Sequence, residues 1–331
     1  MNDLLAGLLA AVLSTNPVAA VSNLVVRHTG VTLTLVNPND PVEKEFQRLL
    51  AADDEAQAEV DRWIRGNEPA TTPGAEVGRL TLNARIEQRF EPVLKAYEDF
   101  LARHPDHTRA RLAYGSFLND IKRDGEAMVQ WEKARELDPK NPAAWNNLAD
   151  YYSHRGPVSK AFQYLEKAIE LNPFEPVYYQ NFATLVFLFR KDVKEVYHLE
   201  DDQKVFRRAI DLYLRARQLD PQNFTLATDL AQVYYYLKPA ETGDQEAAKQ
   251  ATVDLAKETI AAWDEALKLA RTDLDRQGVY IHLARVCIQY GRYADARKHL
   301  AGVTEPTLAE LKRRITRNLE AKEAGQPAKE E

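Results

Sequence analysis

The stretch ELDPKNPAAWNNLADYY occupies residues 136–152, and a similar stretch, ELNPFEPVYYQNFATLV, occupies residues 170–186. Both begin with Glu-Leu, an Asp or Asn and a proline, and both continue with aromatic residues and a Leu-Ala or Phe-Ala pair. Pro105, Pro139 and Pro173 follow one another at equal intervals along the chain. A fixed period of this length, about 34 residues, indicates an internal repeat of one supersecondary unit.

Each repeat contains two helical patterns. Within residues 145–152 and within residues 161–168, apolar side chains recur with the spacing of one face of an α-helix. Gly156 and Pro157 separate the two patterns, because glycine commonly ends a helix and proline commonly starts one. The apolar positions are Trp145, Leu148, Ala149 and Tyr152 in the first helix and Ala161, Leu165 and Ala168 in the second. A hairpin this small cannot bury both stripes alone, so the sequence predicts an all-α solenoid of stacked helix-turn-helix hairpins.

These residues resemble the signature of the tetratricopeptide repeat (TPR) family. In that family an aromatic, a Leu-Gly or Leu-Ala pair and a tyrosine mark the first helix, and Ala, an aromatic, Ala and a proline mark the second. The repeat at 139–173 matches closely but has Leu165 where the second aromatic is usual, and the repeat before it has Arg111 where the first aromatic belongs. The resemblance covers residues 80–304 and implies a TPR array of about five repeats.

Two repeats are longer than the others. The interval from Pro173 to Pro221 exceeds the regular period, which predicts an insertion near residues 190–203. In the next repeat the second helix is displaced toward Trp263, which predicts another insertion near residues 238–258.

The composition restricts the class of protein. Only 13 glycines in 331 residues favour a helical fold. The single cysteine, Cys287, excludes an intramolecular disulfide and a thiolate metal cage. The net charge of -6 gives no general attraction to phosphate backbones, so we expect no nucleic-acid partner.

Residues 1–30 form an apolar N-terminal segment with two interpretations. Leu4 to Leu13 would make roughly 15 Å of helix, too short for a bilayer core of about 30 Å, so membrane contact is expected at most through this segment. Val18-Ala19-Ala20 resembles a cleavage site, which would make residues 1–20 the signal peptide of an exported protein, although Asp3 stands where such a signal carries a basic residue. The alternative that we favour is an N-terminal helical extension, residues 1–30, of a cytoplasmic protein.

Residues 31–79 precede the array. Residues 31–35 alternate with a period of two and predict a short extended segment. The Asp-Pro pair at Asp40 is a helix start signal, and the helix should end near Arg65. Residues 66–79 hold three glycines and two prolines, which predicts a linker.

Residues 305–331 follow the array. They predict a capping helix that begins near Thr307 and carries a basic patch at Lys312, Arg313 and Arg314. The tail after Ala321 has almost nothing to bury and is expected to be disordered.

The partner-binding residues are expected on the first helices, because in TPR arrays these helices line a concave groove. Only Asp150 and Arg285 are charged among the residues chosen, so the carboxylate clamp that holds an acidic chaperone tail in some family members has no counterpart here. Neutral amides and hydroxyls would bond an extended segment, and Phe187, Tyr235 and Tyr236 would hold an apolar side chain. The predicted groove residues are Asn146, Asn147, Asp150, Gln180, Asn181, Thr184, Phe187, Thr228, Gln232, Tyr235, Tyr236 and Arg285.

The predicted function is a non-catalytic protein-protein interaction scaffold that binds a peptide or protein segment in this groove without a cofactor. Asn147 and Asn181 stand where the family consensus has asparagine, which fits the clamping of a ligand backbone. Two alternatives stay open: an exported envelope-associated assembly factor, and an enzyme or metal-dependent regulator with its site in the insertions.

Signals for catalysis are weak. None of the seven histidines lies in an H-E-x-x-H helix, and no glycine-rich phosphate loop occurs, so we predict no catalytic residue, no metal and no enzyme. The loop from His198 to Asp202 gathers an imidazole and three carboxylates, and we expect it to cap the next helix rather than bind a metal. Cys287 falls on a core position of the last repeat and is expected to be a buried thiol.

Overall fold

The computed structural model describes residues 39–66 and 75–325, and for residues 75–80 it describes the backbone alone. Within these ranges the chain forms α-helices joined by short turns, and no described residue lies in a β-strand. The predicted all-α fold is therefore confirmed. The predictions for residues 1–30, 31–35 and 326–331 lie outside the described residues.

The described helices are numbered here in chain order. They are α1 (Pro41–Gly66), α2 (Ala75–Arg103), α3 (Thr108–Asp120), α4 (Asp124–Leu137), α5 (Pro142–Arg155), α6 (Val158–Leu171), α7 (Pro176–Leu188), α8 (Arg190–Tyr197), α9 (Asp202–Leu219), α10 (Phe224–Val233), α11 (Gln245–Leu269), α12 (Asp273–Gln289), α13 (Tyr293–Ala301) and α14 (Ala309–Glu323). Two 3-10 turns, Tyr234–Tyr236 and Pro306–Leu308, follow α10 and precede α14.

The chain divides into two compact units. Of the described residues, unit 1 contains 39–66, 75–155 and 170–172, and unit 2 contains 156–169 and 173–325. Unit 1 therefore holds α1 to α5, and unit 2 holds most of α6 and all of α7 to α14.

Several helices begin at a side chain that accepts a hydrogen bond from the first turn. Asp40 Oδ1 accepts a hydrogen bond from Val42 N at 2.9 Å, so α1 begins at the Asp-Pro pair as predicted. Asn223 caps α10 in the same way. At the start of α12, Thr272 and Asp275 cap each other's backbone reciprocally.

In unit 1, α3 and α4 pack closely at a glycine. Gly115 is buried under Trp131, whose side chain is 2% exposed and whose indole Nε1 donates a hydrogen bond to Leu112 O at 3.3 Å. A Cβ added at Gly115 would overlap the Trp131 ring. This position therefore requires glycine for a steric reason.

In unit 2, small residues allow the paired helices to approach. They have no exposed surface, and large apolar side chains such as Trp263 and Leu283 fill the space beside them. The small positions are Ala183, Ala231 and Ala284 in first helices and Ala209, Ala266 and Ala296 in second helices. These contacts bury the apolar stripes that single hairpins leave open.

The helix α2 begins earlier than the sequence suggested. It starts at Ala75, so residues 75–79 of the predicted 66–79 linker are helical. The prediction gave too much weight to Gly78, because one glycine inside a helix costs only about 1 kcal/mol and the Ala-Glu-Val sequence from Ala75 does not oppose helix.

Both predicted insertions contain helix. Residues 190–203 contain α8, and residues 238–258 contain a turn followed by the first half of α11. The α11 helix has 25 residues, so the second insertion chiefly lengthens a second helix at its N-terminal end.

The last helix also extends beyond its predicted end. It reaches Glu323, past the start of the expected disordered tail at Ala321. Glu323 forms an ion pair with Arg297 of α13, and Tyr293 Oη donates a hydrogen bond to Lys322 O at 3.4 Å. These contacts hold the end of α14, which composition alone could not show.

A buried carboxyl group lies between α1 and α2. Asp53 is 6% exposed; its Oδ2 accepts a hydrogen bond from Tyr97 Oη at 2.6 Å, and its Oδ1 accepts one from Gln57 Nε2 at 2.8 Å. Burial raises the pKa of Asp53, although the two hydrogen bonds act in the opposite direction. The folded chain therefore binds a proton at Asp53 more readily than the unfolded chain does.

The contact at Gly115 predicts opposite effects for two glycine substitutions. Gly115→Ala should lower the free energy of unfolding by about 1–3 kcal/mol, because the methyl group collides with Trp131. Gly125→Ala in α4 should be neutral or stabilising by up to about 1 kcal/mol, because a Cβ there meets nothing within 4 Å. Urea unfolding of both variants measures the difference, and equal effects would contradict this packing.

The Asp53 carboxyl predicts a pH-dependent effect of Asp53→Asn. Because its folded-state pKa is raised above the ordinary 3.8, its contribution to stability is complete below that value and is lost as the pH rises through the folded-state pKa. The unfolding free energy of D53N should therefore rise relative to wild type on going from acidic to neutral pH. Urea unfolding of both proteins across this range tests the prediction, and a difference that stays constant or falls would count against it.

Candidate functional site

Three first helices of unit 2, α7, α10 and α12, and the 3-10 turn that follows α10 carry side chains on one surface. Each helix buries a Leu-Ala or Phe-Ala pair, and the residues flanking this pair and one turn later face away from it. We call the set of these residues the first-helix surface. Its members are Gln180, Asn181, Thr184, Phe187, Thr228, Asp229, Gln232, Tyr235, Tyr236, His282 and Arg285.

Polar contacts join α7 to the neighbouring helices. Gln180 Nε2 donates a hydrogen bond to Asp229 Oδ2 at 3.0 Å, which links α7 to α10. Thr184 Oγ1 donates to Gln180 O at 2.9 Å and lies 2.9 Å from the Tyr213 hydroxyl of α9. Burial raises the pKa of Asp229, and it raises the pKa of Tyr213 to about 12. These bonds restrain the side chains of this part of the surface.

An aromatic cluster lies at the ends of α7 and α10. The Phe187 ring lies 5.0 Å from the Tyr236 ring and 5.9 Å from the Phe206 ring of α9. Tyr236 is 50% exposed, so its ring offers apolar area to a partner. Gln203 holds the chain at this turn, since its Nε2 donates to Tyr236 O at 3.1 Å and its Oε1 accepts from Lys238 N at 2.7 Å. The end of the first insertion therefore positions Tyr236.

A second cluster joins the turn after α10 to α12. The hydroxyl of Tyr235 donates to His282 O at 3.0 Å, and the His282 ring stacks on Trp263 with centroids 4.1 Å apart. Burial, with a smaller effect of Arg285, lowers the pKa of His282 to about 4, so this imidazole is neutral at physiological pH. The Arg285 guanidinium lies over the Tyr235 ring at 5.3 Å.

Several groups on this surface remain available to a partner. Gln232, Tyr236 and Arg285 are exposed, whereas Gln180, Thr184 and Asp229 are partly exposed. Thr228 uses its hydroxyl to bond Thr225 O at 2.9 Å within its own helix. The surface thus offers amide donors and acceptors, one carboxylate, one guanidinium and one half-exposed aromatic ring.

The groove residues predicted on α5 lie in unit 1, and Asn147 also makes hydrogen bonds within that unit. In the orientation that gives both of its amide atoms partners, Asn147 donates to Ala143 O at 3.3 Å, and its amide oxygen lies 3.2 Å from Trp131 Nε1, whose single N–H it shares with Leu112 O. Asp150 is exposed, with Oδ1 3.7 Å from His154 Nε2. Asn146 is partly exposed beside Asn147. Unit 2 holds the other nine predicted residues, and the participation of all twelve in one site stays a prediction.

Two residues of the surface were missed by the sequence analysis. Asp229 and His282 precede the Leu-Ala pairs of α10 and α12, as Asn147 and Asn181 precede theirs. The position in the repeat therefore predicts that Asp229 and His282 belong to this surface. Asparagine occupies this position in α5 and α7, but α10 and α12 carry an acid and an imidazole there, so a pattern based on asparagine alone does not include them.

The acidic loop in the first insertion serves helix capping and ion pairing. Asp201 Oδ1 accepts from Lys204 N at 2.9 Å as the cap of α9, which confirms the predicted capping. Asp202 pairs with Lys194 at 2.6 Å. His198 is exposed in a left-handed backbone conformation. In the part of the chain that the structure describes, no group of three or more His, Cys, Asp or Glu side chains converges as metal ligands would.

The cysteine lies in the core as predicted. Cys287 is 1% exposed, in a cluster with Ile281, Ala296 and Leu300. Burial raises the pKa of its thiol, which disfavours the nucleophilic thiolate.

A cleft of about 310 Å³ lies between the second helices α9 and α11, over α10. Apolar groups such as Leu214 and Leu230 line it, with Arg217 on one side and Glu258 and Glu265 on the other. This cleft and the first-helix surface use different faces of the α10 helix.

Comparisons with known proteins agree with the repeat architecture. Two profiles described as tetratricopeptide repeat match residues 94–136 and 131–163. The crystal structure of PilW, a type IV pilus biogenesis factor, shares the fold: TM-score 0.50 and 14% identity over 72% of this chain and 96% of PilW. Among residues 39–66 and 75–325, none of the helices has the length and hydrophobicity needed to cross a bilayer.

Curated relatives are similar over part of their length. ER membrane protein complex subunit 2 of Xenopus tropicalis is 30% identical over 142 residues, which are 42% of this chain and 46% of that protein. The peroxisomal targeting signal receptor of Candida albicans is 24% identical over 62% of this chain and 36% of its own length. Hsp70-Hsp90 organizing protein 2 of Arabidopsis thaliana is 23% identical over 53% of this chain and 32% of its own length. The chain thus spans less than half the length of these relatives.

The regular repeat period, the two profile matches and the stacked helical hairpins show that this chain belongs to the tetratricopeptide repeat proteins.

Proposed function

We propose that this protein is an interaction scaffold and that the first-helix surface of unit 2 binds an extended segment of a partner protein. One observation carries the proposal. Successive first helices are joined by side-chain contacts, Gln180 to Asp229 and Tyr235 to His282, which hold a row of polar groups in place beside the half-exposed ring of Tyr236.

Such a surface suits an extended ligand for two physical reasons. An extended segment has backbone donors and acceptors that need partners, and the exposed amide of Gln232 can both donate to and accept from them. Side chains that are already fixed lose little entropy when the ligand binds. The exposed ring of Tyr236 adds apolar area for a single anchoring side chain.

The names of the relatives support the same class of activity. They describe a complex subunit, a targeting signal receptor and an organizing protein. We propose that this chain likewise acts by holding a partner and not by catalysis. The capping role of Asp201 and the burial of Cys287 support this view, because both residues have structural roles.

Two double variants test the proposal with a random peptide library displayed on phage. A peptide selected on the wild-type protein should bind Gln232→Ala/Tyr236→Ala about tenfold or more weakly, because an exposed amide and a half-exposed ring are lost from the surface. The matched control, Gln163→Ala/Leu214→Ala, removes an exposed amide and an exposed apolar side chain from second helices and should leave binding unchanged. Fluorescence anisotropy measures the affinities.

Failure to select any peptide would contradict the proposal. An equal loss of affinity in both double variants would contradict it as well, because the second-helix side would then contribute as much as the first-helix surface.

A further inference from the structure

One carboxylate on the first-helix surface has no opposite charge near it. Asp229 of α10 is partly buried, and its Oδ2 accepts a hydrogen bond from Gln180 Nε2 at 3.0 Å. Among the residues that the structure describes, no basic side chain forms an ion pair with Asp229, and burial raises the pKa of its carboxyl group. An amide offsets the desolvation of a carboxylate only in part.

The basic side chain of the first-helix surface, Arg285, contacts Tyr235 and not Asp229. Arg285 of α12 lies over the Tyr235 ring and acts on the pKa values of Tyr235 and His282. It is exposed and forms no ion pair with Asp229. The described residues therefore supply no ion-pair partner for the Asp229 carboxylate.

The polar side chains beside Asp229 already have hydrogen-bond partners. Gln180 holds one carboxylate oxygen, while Thr184 and Tyr213 are bonded to each other at 2.9 Å. The negative charge of Asp229 is close enough to Tyr213 to raise the pKa of that phenol. The partly exposed carboxylate thus lies beside groups whose donors are already in use.

We infer that the segment bound by the first-helix surface carries a lysine or arginine side chain that pairs with Asp229. This inference rests on the proposed function and adds a charge requirement to it. A charge-assisted hydrogen bond to a partly desolvated carboxylate is stronger than a neutral one, because the local dielectric constant is lower than that of water. The inferred partner segment is therefore basic at one position.

The test is selection from a random dodecapeptide phage library on the full-length wild-type protein and on Asp229→Asn. Wild type should enrich Lys or Arg at one fixed position of the selected peptides. A wild-type peptide should bind about tenfold more tightly than the same peptide with Gln at that position, and this advantage should disappear in D229N. Asparagine can still accept the Gln180 hydrogen bond, so the charge is the main change.

Two further variants separate charge from structure. Asp229→Glu keeps the negative charge and should keep the preference for Lys or Arg. Asp264→Asn in α11 is a matched control, since burial also raises the pKa of Asp264 but it lies outside the first-helix surface, and it should behave as wild type. Thermal unfolding of each variant shows that the selected protein is folded.

The outcomes distinguish the inferred charge requirement from the proposed peptide binding. Peptides selected without a basic position, or a basic preference that persists in D229N, would overturn the inference and leave peptide binding intact. No selected peptide at all would overturn the proposed function and the inference with it.

Discussion

The structure of each unit depends on close contact between helices at small side chains. At Gly115 the Trp131 ring occupies the space that a Cβ would need, and in unit 2 the fully buried Ala231 and Ala284 provide the same closeness. A hairpin of two short helices cannot bury both apolar stripes alone, so it is stable only when its neighbours pack against it. The regular repeat period of the sequence reflects this packing requirement.

Stacking in a fixed register also produces the candidate site. Because the buried Leu-Ala pair recurs at the same place in α10 and α12, the residue before it recurs on the same surface. In α7, α10 and α12 this position holds Asn181, Asp229 and His282. The architecture fixes where these side chains lie, and the change of residue type from repeat to repeat gives the surface its chemical character.

More of the fold than of the candidate site could be predicted from the sequence. The helical hairpins and the burial of Cys287 could be predicted from the regular period, the small residues and the prolines. These features are readable in the sequence because packing restricts the residue type at core positions. Asp229 was missed because surface positions tolerate many residue types. Its significance depends on burial and on the distance from Gln180, and neither can be read from sequence spacing alone.

The structures of the two insertions could likewise be predicted only in part from the sequence. Their presence followed from the interrupted period, but the role of Gln203 in holding the Tyr236 turn depends on contacts over 33 and 35 residues of chain. Likewise, the lengthening of α11 could not be distinguished from a loop by counting residues, since the polar sequence near Gln250 suits either structure.

Amide hydrogen exchange with and without a selected peptide tests the central claim most directly. If the first-helix surface of unit 2 binds an extended segment, the peptide should slow exchange in α7, α10 and the turn at Tyr234–Tyr236, while α9 and α11 around their cleft stay unchanged. Slower exchange confined to α9 and α11 would contradict the account and would place the bound peptide on the second-helix side.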